Sequence, residues 1–351
     1  VVVSNRLPVV LNREEQGDWK VSPGAGGLVT ALAPVLRDRG GLWIGWPGTS
    51  DPGAVAHLEQ NPGIREVGYT LRPVPLSPEE EELYYRGFAN GVIWPLFHDL
   101  LLRATFNPAF WHTYKRVNER FARVIAENTR PEDYIWVQDF HLMLAARAMR
   151  QQGLDRRTGF FLHIPFPPLD IFLKLPWRYE VLHGLLAYDL LGFQTARDRR
   201  NFVQCVRAMV PGAKFAGARS VATMTTPERE LRVGTFPIGI DARRFMDDAA
   251  SQEVSDRAWF IHEALPERKL VLGIDRLDYT KGIPSRILAV GNALERHPEL
   301  RGKITFIQVV VPSRVEVHEY QKLRQEIERL VGQINGQFTQ SGWTPIHYIY
   351  R

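Results

Sequence analysis

Two stretches that lie far apart in the sequence combine cationic side chains with glycine. The first is a β-rich run that starts at Val1 and ends in Asn5-Arg6, and the cluster Gly24-Ala25-Gly26-Gly27 follows it. The second is Arg276-Leu277-Asp278-Tyr279-Thr280-Lys281-Gly282. Guanidinium and ammonium groups bind anions, and glycines let backbone N–H groups approach a phosphate at a helix N-terminus. The two stretches therefore predict two binding sites for phosphorylated ligands.

The elements that must position these side chains follow a repeating order of strand and then helix. Continuous apolar strands between amphipathic helices predict a parallel sheet that is covered on both faces. The carboxyl ends of such strands meet at one edge of the sheet, where ligands bind. Predicted strands of the first part are Val1–Ser4, Leu42–Trp46, Tyr134–Gln138, Gly159–Ile164 and Leu190–Gln194. Predicted helices there are Leu28–Arg37, Leu83–Phe88, Trp111–Asn128 and Leu142–Arg150.

A domain boundary is expected just after the segment Phe236–Asp241. A second series of strands and helices opens at Lys269–Asp275 and continues with Ile304–Val311 and Ile346–Tyr350. We therefore predict an α/β fold of two doubly wound, Rossmann-like domains, 1–241 and 242–351, which face a central crevice. A free-standing domain of this type has roughly five strands, so we expect the second domain to be truncated.

Simpler interpretations compete with anion binding. Arg6 also fits an ordinary surface side chain, and Gly24–Gly27 also fits a tight turn. The glycine cluster is not a G-x-G-x-x-G motif, and no acidic residue completes a dinucleotide fingerprint, which argues against an oxidoreductase. Arg276 and Lys281 directly follow a predicted buried strand, and in a crevice such a pair would stabilise a departing diphosphate. Pro312-Ser313-Arg314 repeats this arrangement after the next strand.

Two further polar residues end predicted strands. His163 closes one strand before a proline-rich turn, and Asp139 closes another, with His141 two residues further on. A histidine in such a place is often a structural group with satisfied hydrogen bonds. The aspartate also fits an N-cap for the predicted helix at Leu142. Because both residues lie at strand carboxyl ends, where ligands bind, a functional role is as consistent with the sequence as a structural one.

Composition excludes several classes of function. The formal charge of +5 comes without a Lys/Arg cluster, so we expect no nucleic-acid binding. No apolar run approaches 18 residues and no signal peptide is recognisable, so we expect a cytoplasmic protein without a membrane span. The single cysteine, Cys205, fits a small core residue and excludes a disulfide framework. We expect no metal site, because Asp-x-Asp, His-Glu-x-x-His and cysteine-cluster motifs are absent from the sequence.

Taken together, the motifs resemble those of the trehalose-6-phosphate synthase family, in order and over essentially the whole chain. The family comprises retaining glucosyltransferases with two Rossmann-like domains. The matching segments are Val2–Pro8, Gly26–Leu32, Gly41–Gly48, Tyr84-Tyr85, Trp94-Pro95, Trp136–His141, Phe161–Pro167, Leu191–Thr195, Phe236–Asp241 and Arg276–Gly282.

The resemblance implies a role for each matched position. Acceptor-binding residues would be Arg6, Tyr85 and Arg314 on the phosphate, with Trp46, Trp94 and Asp139 on the sugar. Donor-binding residues would be Gly26 and Gly27 with Arg276 and Lys281 on the diphosphate, and His163 on the glucose. The implied catalytic residues are His163, Arg276, Lys281 and Asp139.

The implied reaction transfers glucose from UDP-glucose to glucose 6-phosphate, with retention and with neither cofactor nor metal. UDP-glucose and glucose 6-phosphate are the expected partners, and the sequence leaves a homo-oligomer open. One departure is that the family's Asp-Gly-Met-Asn-Leu-Val-Ala-Lys-Glu segment is missing, so acceptor binding is expected to exceed donor binding and full activity is in doubt. The alternatives are a related enzyme for glycerol phosphate or a cyclitol phosphate, and a non-catalytic sugar-phosphate-binding fragment.

Overall fold

A computed structural model describes residues 1–13, 19–24, 26–60, 68–217, 220–265, 268–313 and 318–351. The chain divides into a first unit, Val1–Ile240, and a second unit, Asp241–Arg351. Each unit is an arrangement of strands and helices with its own hydrophobic core. Arg314, one of the predicted acceptor-binding residues, lies outside the described residues.

In the described part of the first unit, nine strands form one sheet in the order β5-β4-β1-β6-β7-β8-β11-β10-β9. The seven strands β5, β4, β1, β6, β7, β8 and β11 are parallel to one another. Strand β10 is antiparallel to both of its neighbours, β11 and β9. A separate antiparallel hairpin, β2–β3, follows β1. The strands are β1 Val2–Arg6, β2 Val9–Arg13, β3 Trp19–Pro23, β4 Leu42–Trp46, β5 Thr70–Pro73, β6 Tyr134–Gln138, β7 Arg157–Leu162, β8 Leu190–Phe193, β9 Lys214–Ala216, β10 Val221–Thr225 and β11 Glu230–Thr235.

The helices of the first unit include one long π-helical segment, Glu81–Ile93, and a short 3₁₀ helix, Phe140–Leu142. Another 3₁₀ helix is Leu101–Arg103. The α-helices are α1 Gly27–Arg39, α2 Pro52–Gln60, α3 Pro78–Glu80, α4 Trp94–Phe97, α5 Pro108–Asn128, α6 Ala145–Gln151, α7 Leu169–Phe172, α8 Arg178–Leu186 and α9 Ala196–Met209.

Local sequence signals explain where several of these elements begin. Helix α9 starts after Thr195, whose hydroxyl accepts a hydrogen bond from the Asp198 amide, as the Thr-x-x-Asp pattern predicts. Helix α5 starts after Asn107, whose side chain accepts from the Ala109 amide. Cys205 is fully buried on the core side of α9, so its prediction as a core residue is confirmed.

The strand order reverses between β1 and β6. From β1 the chain adds β4 and then β5 on one side, and from β6 it adds β7, β8 and β11 on the other. In open parallel sheets, ligands bind at the carboxyl ends of the two strands that flank such a reversal. The strands end here in Arg6 and Gln138, and Asp139 follows directly.

The second unit contains a three-stranded parallel sheet in the order β12-β13-β14, within the residues that the structure describes. Its core is formed by apolar side chains of α12, α13 and the sheet. The strands are β12 Lys269–Arg276, β13 Ile304–Val311 and β14 Ile346–Tyr350. The helices are α10 Ala242–Ala249, α11 Gln252–Ala264, α12 Ile283–Arg296 and α13 His318–Phe338, with 3₁₀ helices at Tyr279–Lys281 and Pro298–Leu300.

The structure differs from the sequence prediction in several elements, and strands β5, β9, β10 and β11 and helices α2, α3, α4, α7 and α8 were not predicted. The hairpin β2–β3 was not predicted, and the predicted helix Leu83–Phe88 is part of the longer π-helix. The predicted helix Leu142–Arg150 is divided into the 3₁₀ helix Phe140–Leu142 and α6. The π-helix packs closely against α5 at Gly87. A Cβ atom at this position would lie 2.6 Å from the Phe110 ring, so the contact requires a glycine.

The described residues contain neither a membrane-spanning helix nor a metal-binding cluster. No described helix has the length and apolar character needed to cross a membrane. Among the same residues, no group of three or more His, Cys, Asp or Glu side chains is placed to hold a metal ion. The cytoplasmic location stays a prediction.

Candidate active site

Arg6 lies over two aromatic rings at the carboxyl end of β1. Its guanidinium carbon is 4.9 Å from the centre of the Trp46 ring and 5.2 Å from that of Tyr85. Guanidinium groups are attracted to the faces of aromatic rings within about 6 Å. The Arg6 side chain is nevertheless exposed, so the two rings hold the cation in place while it stays accessible to an anion.

The backbone around Arg6 is shaped to aim this side chain. The pairing of β1 with β4 shifts register between Val3 and Arg6, and such irregularities redirect side chains next to functional sites. Gly45 permits the close approach, because a Cβ atom there would lie 2.8 Å from the Leu7 nitrogen. Gly48 has φ +89° and a Cβ there would lie 3.4 Å from Arg6 Nη1, so a larger residue would be strained and would crowd the guanidinium.

Aromatic rings connect Trp46 to Trp94 in a continuous row. The centroid distances along this row are 5.5 Å, 5.9 Å, 3.9 Å and 5.7 Å. We call these residues the aromatic row, and in order they are Trp46, Tyr85, His141, Phe140 and Trp94. The predicted acceptor residues Trp46, Tyr85 and Trp94 are therefore joined by two residues of the segment after β6, His141 and Phe140, for which no role was predicted.

Asp139 begins this segment with an unusual backbone. Its φ is +71°, a region that non-glycine residues adopt rarely. Its Oδ1 accepts a hydrogen bond from the His163 amide at 3.1 Å, and its own amide donates to the Phe161 carbonyl at 2.8 Å. Its side chain does not cap the following helix. The N-cap interpretation is therefore wrong, because the carboxylate is directed at the neighbouring strand end, where it joins Asp139 to His163.

Buried side chains hold the backbone that follows Asp139. The carbonyl groups of residues 140, 141 and 142 accept hydrogen bonds from Tyr114, Asn118 and Tyr188 at 2.8, 3.2 and 2.7 Å. The amides of residues 143 and 144 donate to the same Tyr114 hydroxyl and Asn118 amide oxygen, both at 3.1 Å. Backbone strain persists where the surrounding structure over-determines it, and this network does so for Asp139.

Replacing Tyr114 with phenylalanine is expected to lower the free energy of unfolding by about 1–3 kcal/mol, because the Phe140 carbonyl and the Met143 amide lose a buried partner. Chemical denaturation measures the change. Tyr179→Phe, at a half-exposed tyrosine of α8, is the matched control and should change stability by less than about 0.5 kcal/mol. Equal stability of the two variants would contradict the proposed support of residues 140–144.

His163 lies at the end of β7, beside Gln138 at the end of β6. Its Nε2 is 2.9 Å from the Gln138 side-chain oxygen, and its ring packs against Phe161. Burial lowers the pKa of His163 to about 4, because desolvation disfavours the charged imidazolium. The imidazole is therefore neutral at pH 7.

The lowered pKa of His163 predicts a specific pH dependence of stability. In the unfolded chain the group titrates near its ordinary value of 6.5, so between pH 6.5 and about 4 the unfolded state binds more protons than the folded state. Stability should therefore fall as the pH falls through this window. Urea unfolding at pH 7.0, 5.5 and 4.5 should show a steeper loss for the wild type than for His163→Gln, which cannot titrate. Parallel pH profiles would show that the pKa of His163 is not lowered.

Gly26 and Gly27 form the start of α1. Gly26 has φ +137° and lies at the N-cap, without a side-chain cap. Cβ atoms at Gly26 and Gly27 would meet nothing within 4 Å, so the space beside this helix end is open. The N–H groups of a first helical turn have no partner within the helix, and an anion can accept from them. Gly24 joins the loop to the base of the β2–β3 hairpin, since its amide donates to the Pro8 carbonyl at 2.7 Å.

In the second unit, Arg276 ends β12 and Lys281 closes the short helix Tyr279–Lys281. Both side chains are exposed. Asp278 shapes the turn between them, because its buried Oδ1 accepts from the Thr280 amide at 3.0 Å and from the Thr280 hydroxyl at 2.9 Å. Gly282 follows in the left-handed conformation, with φ +64°. The turn thus places two cations close together in sequence before the N-terminus of α12.

The structure therefore groups the predicted residues in four places. Arg6, Trp46 and Tyr85 are in contact, and Trp94 joins them through the aromatic row. Asp139 and His163 are hydrogen-bonded to each other. Gly26 and Gly27 lie at the start of α1, and Arg276 and Lys281 lie in the second unit. Besides Phe140 and His141, no role was predicted for Gln138, whose signal is a polar side chain that ends an apolar strand beside Asp139.

Comparison with known proteins identifies the family. The model of glycosyltransferase family 20 matches residues 1–351, and the chain belongs to this family. It is 40% identical over 360 residues to alpha,alpha-trehalose-phosphate synthase [UDP-forming] A of Dictyostelium discoideum. It is 41% identical over 360 residues to trehalose-6-phosphate synthase of Mycobacterium bovis. Both alignments include the whole chain, which spans 47% of the Dictyostelium protein and 71% of the mycobacterial one. The predicted family resemblance is confirmed.

Solved structures give the same result for the fold. Alpha,alpha-trehalose-phosphate synthase from Burkholderia xenovorans, in complex with glucose-6-phosphate, matches the whole chain with a TM-score of 0.86 at 32% identity. An E. coli structure with bound UDP-2-fluoro glucose matches it with a TM-score of 0.84 at 32% identity. The chain covers 74% of each of those chains. The predicted α/β, Rossmann-like fold is confirmed.

Proposed function

We propose that this chain carries the catalytic region of an alpha,alpha-trehalose-phosphate synthase. The enzyme transfers glucose from UDP-glucose to glucose 6-phosphate with retention, giving trehalose 6-phosphate and UDP. The observation that carries the proposal is the exposed Arg6 guanidinium held against the rings of Trp46 and Tyr85 at the reversal of strand order. A fixed, accessible guanidinium at this place is suited to the phosphate of the acceptor.

The acceptor sugar is assigned to the surface next to Arg6. Arg6 and Tyr85 bind its phosphate, together with Arg314. The sugar ring lies along the aromatic row near Trp46 and Trp94, and Asp139 orients one of its hydroxyl groups. The fixed backbone of residues 139–144 supports this assignment, because a positioned carboxylate lowers the entropic cost of orienting the reacting hydroxyl.

The donor is assigned to the cations of the second unit and to α1. Arg276 and Lys281 bind the diphosphate, with the N–H groups at Gly26 and Gly27 as further donors. Charge develops on the departing diphosphate during glycosyl transfer, and preorganised cations stabilise that charge. His163 contacts the donor glucose as a neutral imidazole.

The acceptor and the leaving group react directly with each other in the proposed mechanism. The acceptor hydroxyl attacks the donor carbon on the face from which UDP leaves, and a phosphate oxygen of the leaving group takes the proton. This step requires neither a protein nucleophile nor a metal ion. The protein contributes positioning of the two sugars and stabilisation of the leaving group.

An assay for product tests the proposal. The chain is incubated with UDP-glucose and glucose 6-phosphate, and UDP and trehalose 6-phosphate are measured by mass spectrometry. Parallel reactions replace the acceptor with glycerol 3-phosphate or an inositol phosphate. We expect UDP and trehalose 6-phosphate to form in equal amounts only with glucose 6-phosphate. Product with another acceptor, or UDP release with none, would overturn the assignment of the acceptor.

A further inference from the structure

Gln138 is a buried polar residue that the proposed reaction leaves without a role. Its side chain is 1% exposed and ends β6 at the reversal of strand order. The side-chain oxygen is 2.9 Å from Nε2 of His163. The side-chain nitrogen is buried and has no hydrogen-bond partner among the described residues. A buried amide nitrogen without a partner destabilises the fold, so fold stability alone does not explain a glutamine here.

The contact with Gln138 determines which nitrogen of His163 carries the proton. The glutamine oxygen only accepts hydrogen bonds, so the Nε2 of His163 must donate. Since the lowered pKa keeps the ring neutral at pH 7, its single proton is then on Nε2. Nδ1 is left with a lone pair and can accept a hydrogen bond but cannot donate one.

Neighbouring contacts fix both partners in this arrangement. Gln138 is paired with Phe161 across β6 and β7, and the Phe161 ring packs edge-on against His163 at 4.7 Å. The His163 amide donates to Asp139, the residue next to Gln138. Side chain and backbone of His163 are therefore both held by two successive residues at the end of β6.

We propose that Gln138 is a positioning residue that holds His163 in the neutral Nε2–H form, with Nδ1 as an acceptor for a hydroxyl of the donor sugar. The role of His163 toward the sugar rests on the proposed function. The proton position does not, because it follows from the contact of two side chains within the first unit. The sugar hydroxyl donates its hydrogen to Nδ1, and no covalent bond changes in this contact.

The test measures the proton position directly. Histidine labelled with ¹⁵N is incorporated into this chain, and long-range ¹H–¹⁵N NMR spectra are recorded near pH 7.5. The His163 signals are assigned by their loss in His163→Gln. We expect a protonated Nε2 and an unprotonated Nδ1 in the wild type. A protonated Nδ1 in the wild type would overturn the proposal.

Three variants separate positioning from a structural role. Gln138→Met has similar length and no acceptor, and we expect a mixture of the two proton positions with a Tm that is unchanged or raised. Gln138→Glu keeps an acceptor oxygen and should retain the Nε2 proton. Gln204→Met, at an exposed glutamine of α9, should behave as the wild type. An unchanged proton position in Gln138→Met would overturn the proposal, as would a lower Tm with normal catalysis.

Steady-state kinetics connect the proton position to the proposed reaction. In Gln138→Met, kcat/KM for UDP-glucose should fall roughly tenfold, the effect of one lost hydrogen bond, while KM for glucose 6-phosphate stays constant. An inactive wild-type chain would count against the proposed function alone. The NMR result needs no substrate and would still decide the role of Gln138.

Discussion

Replacing Arg6 with alanine should weaken the binding of glucose 6-phosphate roughly 10–150-fold. The loss corresponds to about 1.5–3 kcal/mol, the contribution of a hydrogen bond that involves charged groups. The variant should keep its fold, because the Arg6 side chain is exposed. Isothermal titration calorimetry with glucose 6-phosphate measures the change.

Two controls make this result specific for the phosphate. Arg6→Lys keeps the positive charge but loses the planar fork, and it should recover only part of the affinity. Arg200→Ala removes an exposed arginine of α9 and should bind like the wild type. If Arg6→Ala bound glucose 6-phosphate as tightly as the wild type, the assignment of the acceptor phosphate to Arg6 would be wrong.

Replacing Arg276 and Lys281 together should nearly abolish turnover. Loss of a single group that stabilises transition-state charge lowers kcat roughly 10²–10³-fold, and both side chains are assigned to the same departing diphosphate. The double alanine variant should therefore lose at least that factor in kcat for UDP-glucose. The affinity for glucose 6-phosphate, measured by calorimetry, should change little, because neither Arg276 nor Lys281 is among its proposed contacts.

A matched double variant tests whether the loss of turnover is specific to these two positions or follows from removing any two positive charges. Arg257→Ala with Lys322→Ala removes two exposed cations of the second unit that lie on α11 and α13 and have no proposed role. This double variant should keep wild-type turnover. Wild-type turnover in the Arg276/Lys281 variant as well would refute the leaving-group role.

Local signals in the sequence predicted the regular elements well. The strands Leu42–Trp46 and Tyr134–Gln138 have the predicted bounds, because each is a short apolar run between residues that end strands. The π-helix could not be predicted in the same way. Its course depends on the packing of Phe110 against Gly87, and this contact joins two elements that are separate in the sequence.

The candidate site was predicted mainly through the family resemblance. Local spacing alone did not decide whether Arg6 is an ordinary surface residue or binds a phosphate. The strand order decides which residues meet, since β1 pairs with β4 and β6 rather than with the hairpin that follows it. Long-range pairing of this kind brings Arg6 to Trp46 and Tyr85, and no local pattern contains it. Gln138 was missed because its partner, His163, follows another strand, β7.

The affinity of this chain for glucose 6-phosphate relative to glucose tests the central claim most directly. Calorimetric titrations with glucose 6-phosphate, glucose and inorganic phosphate should show one bound glucose 6-phosphate per chain. Its affinity should be at least about tenfold higher than that of glucose, because only the phosphorylated sugar reaches Arg6. Equal affinities for glucose and glucose 6-phosphate, or no binding of glucose 6-phosphate, would contradict a phosphosugar site at Arg6.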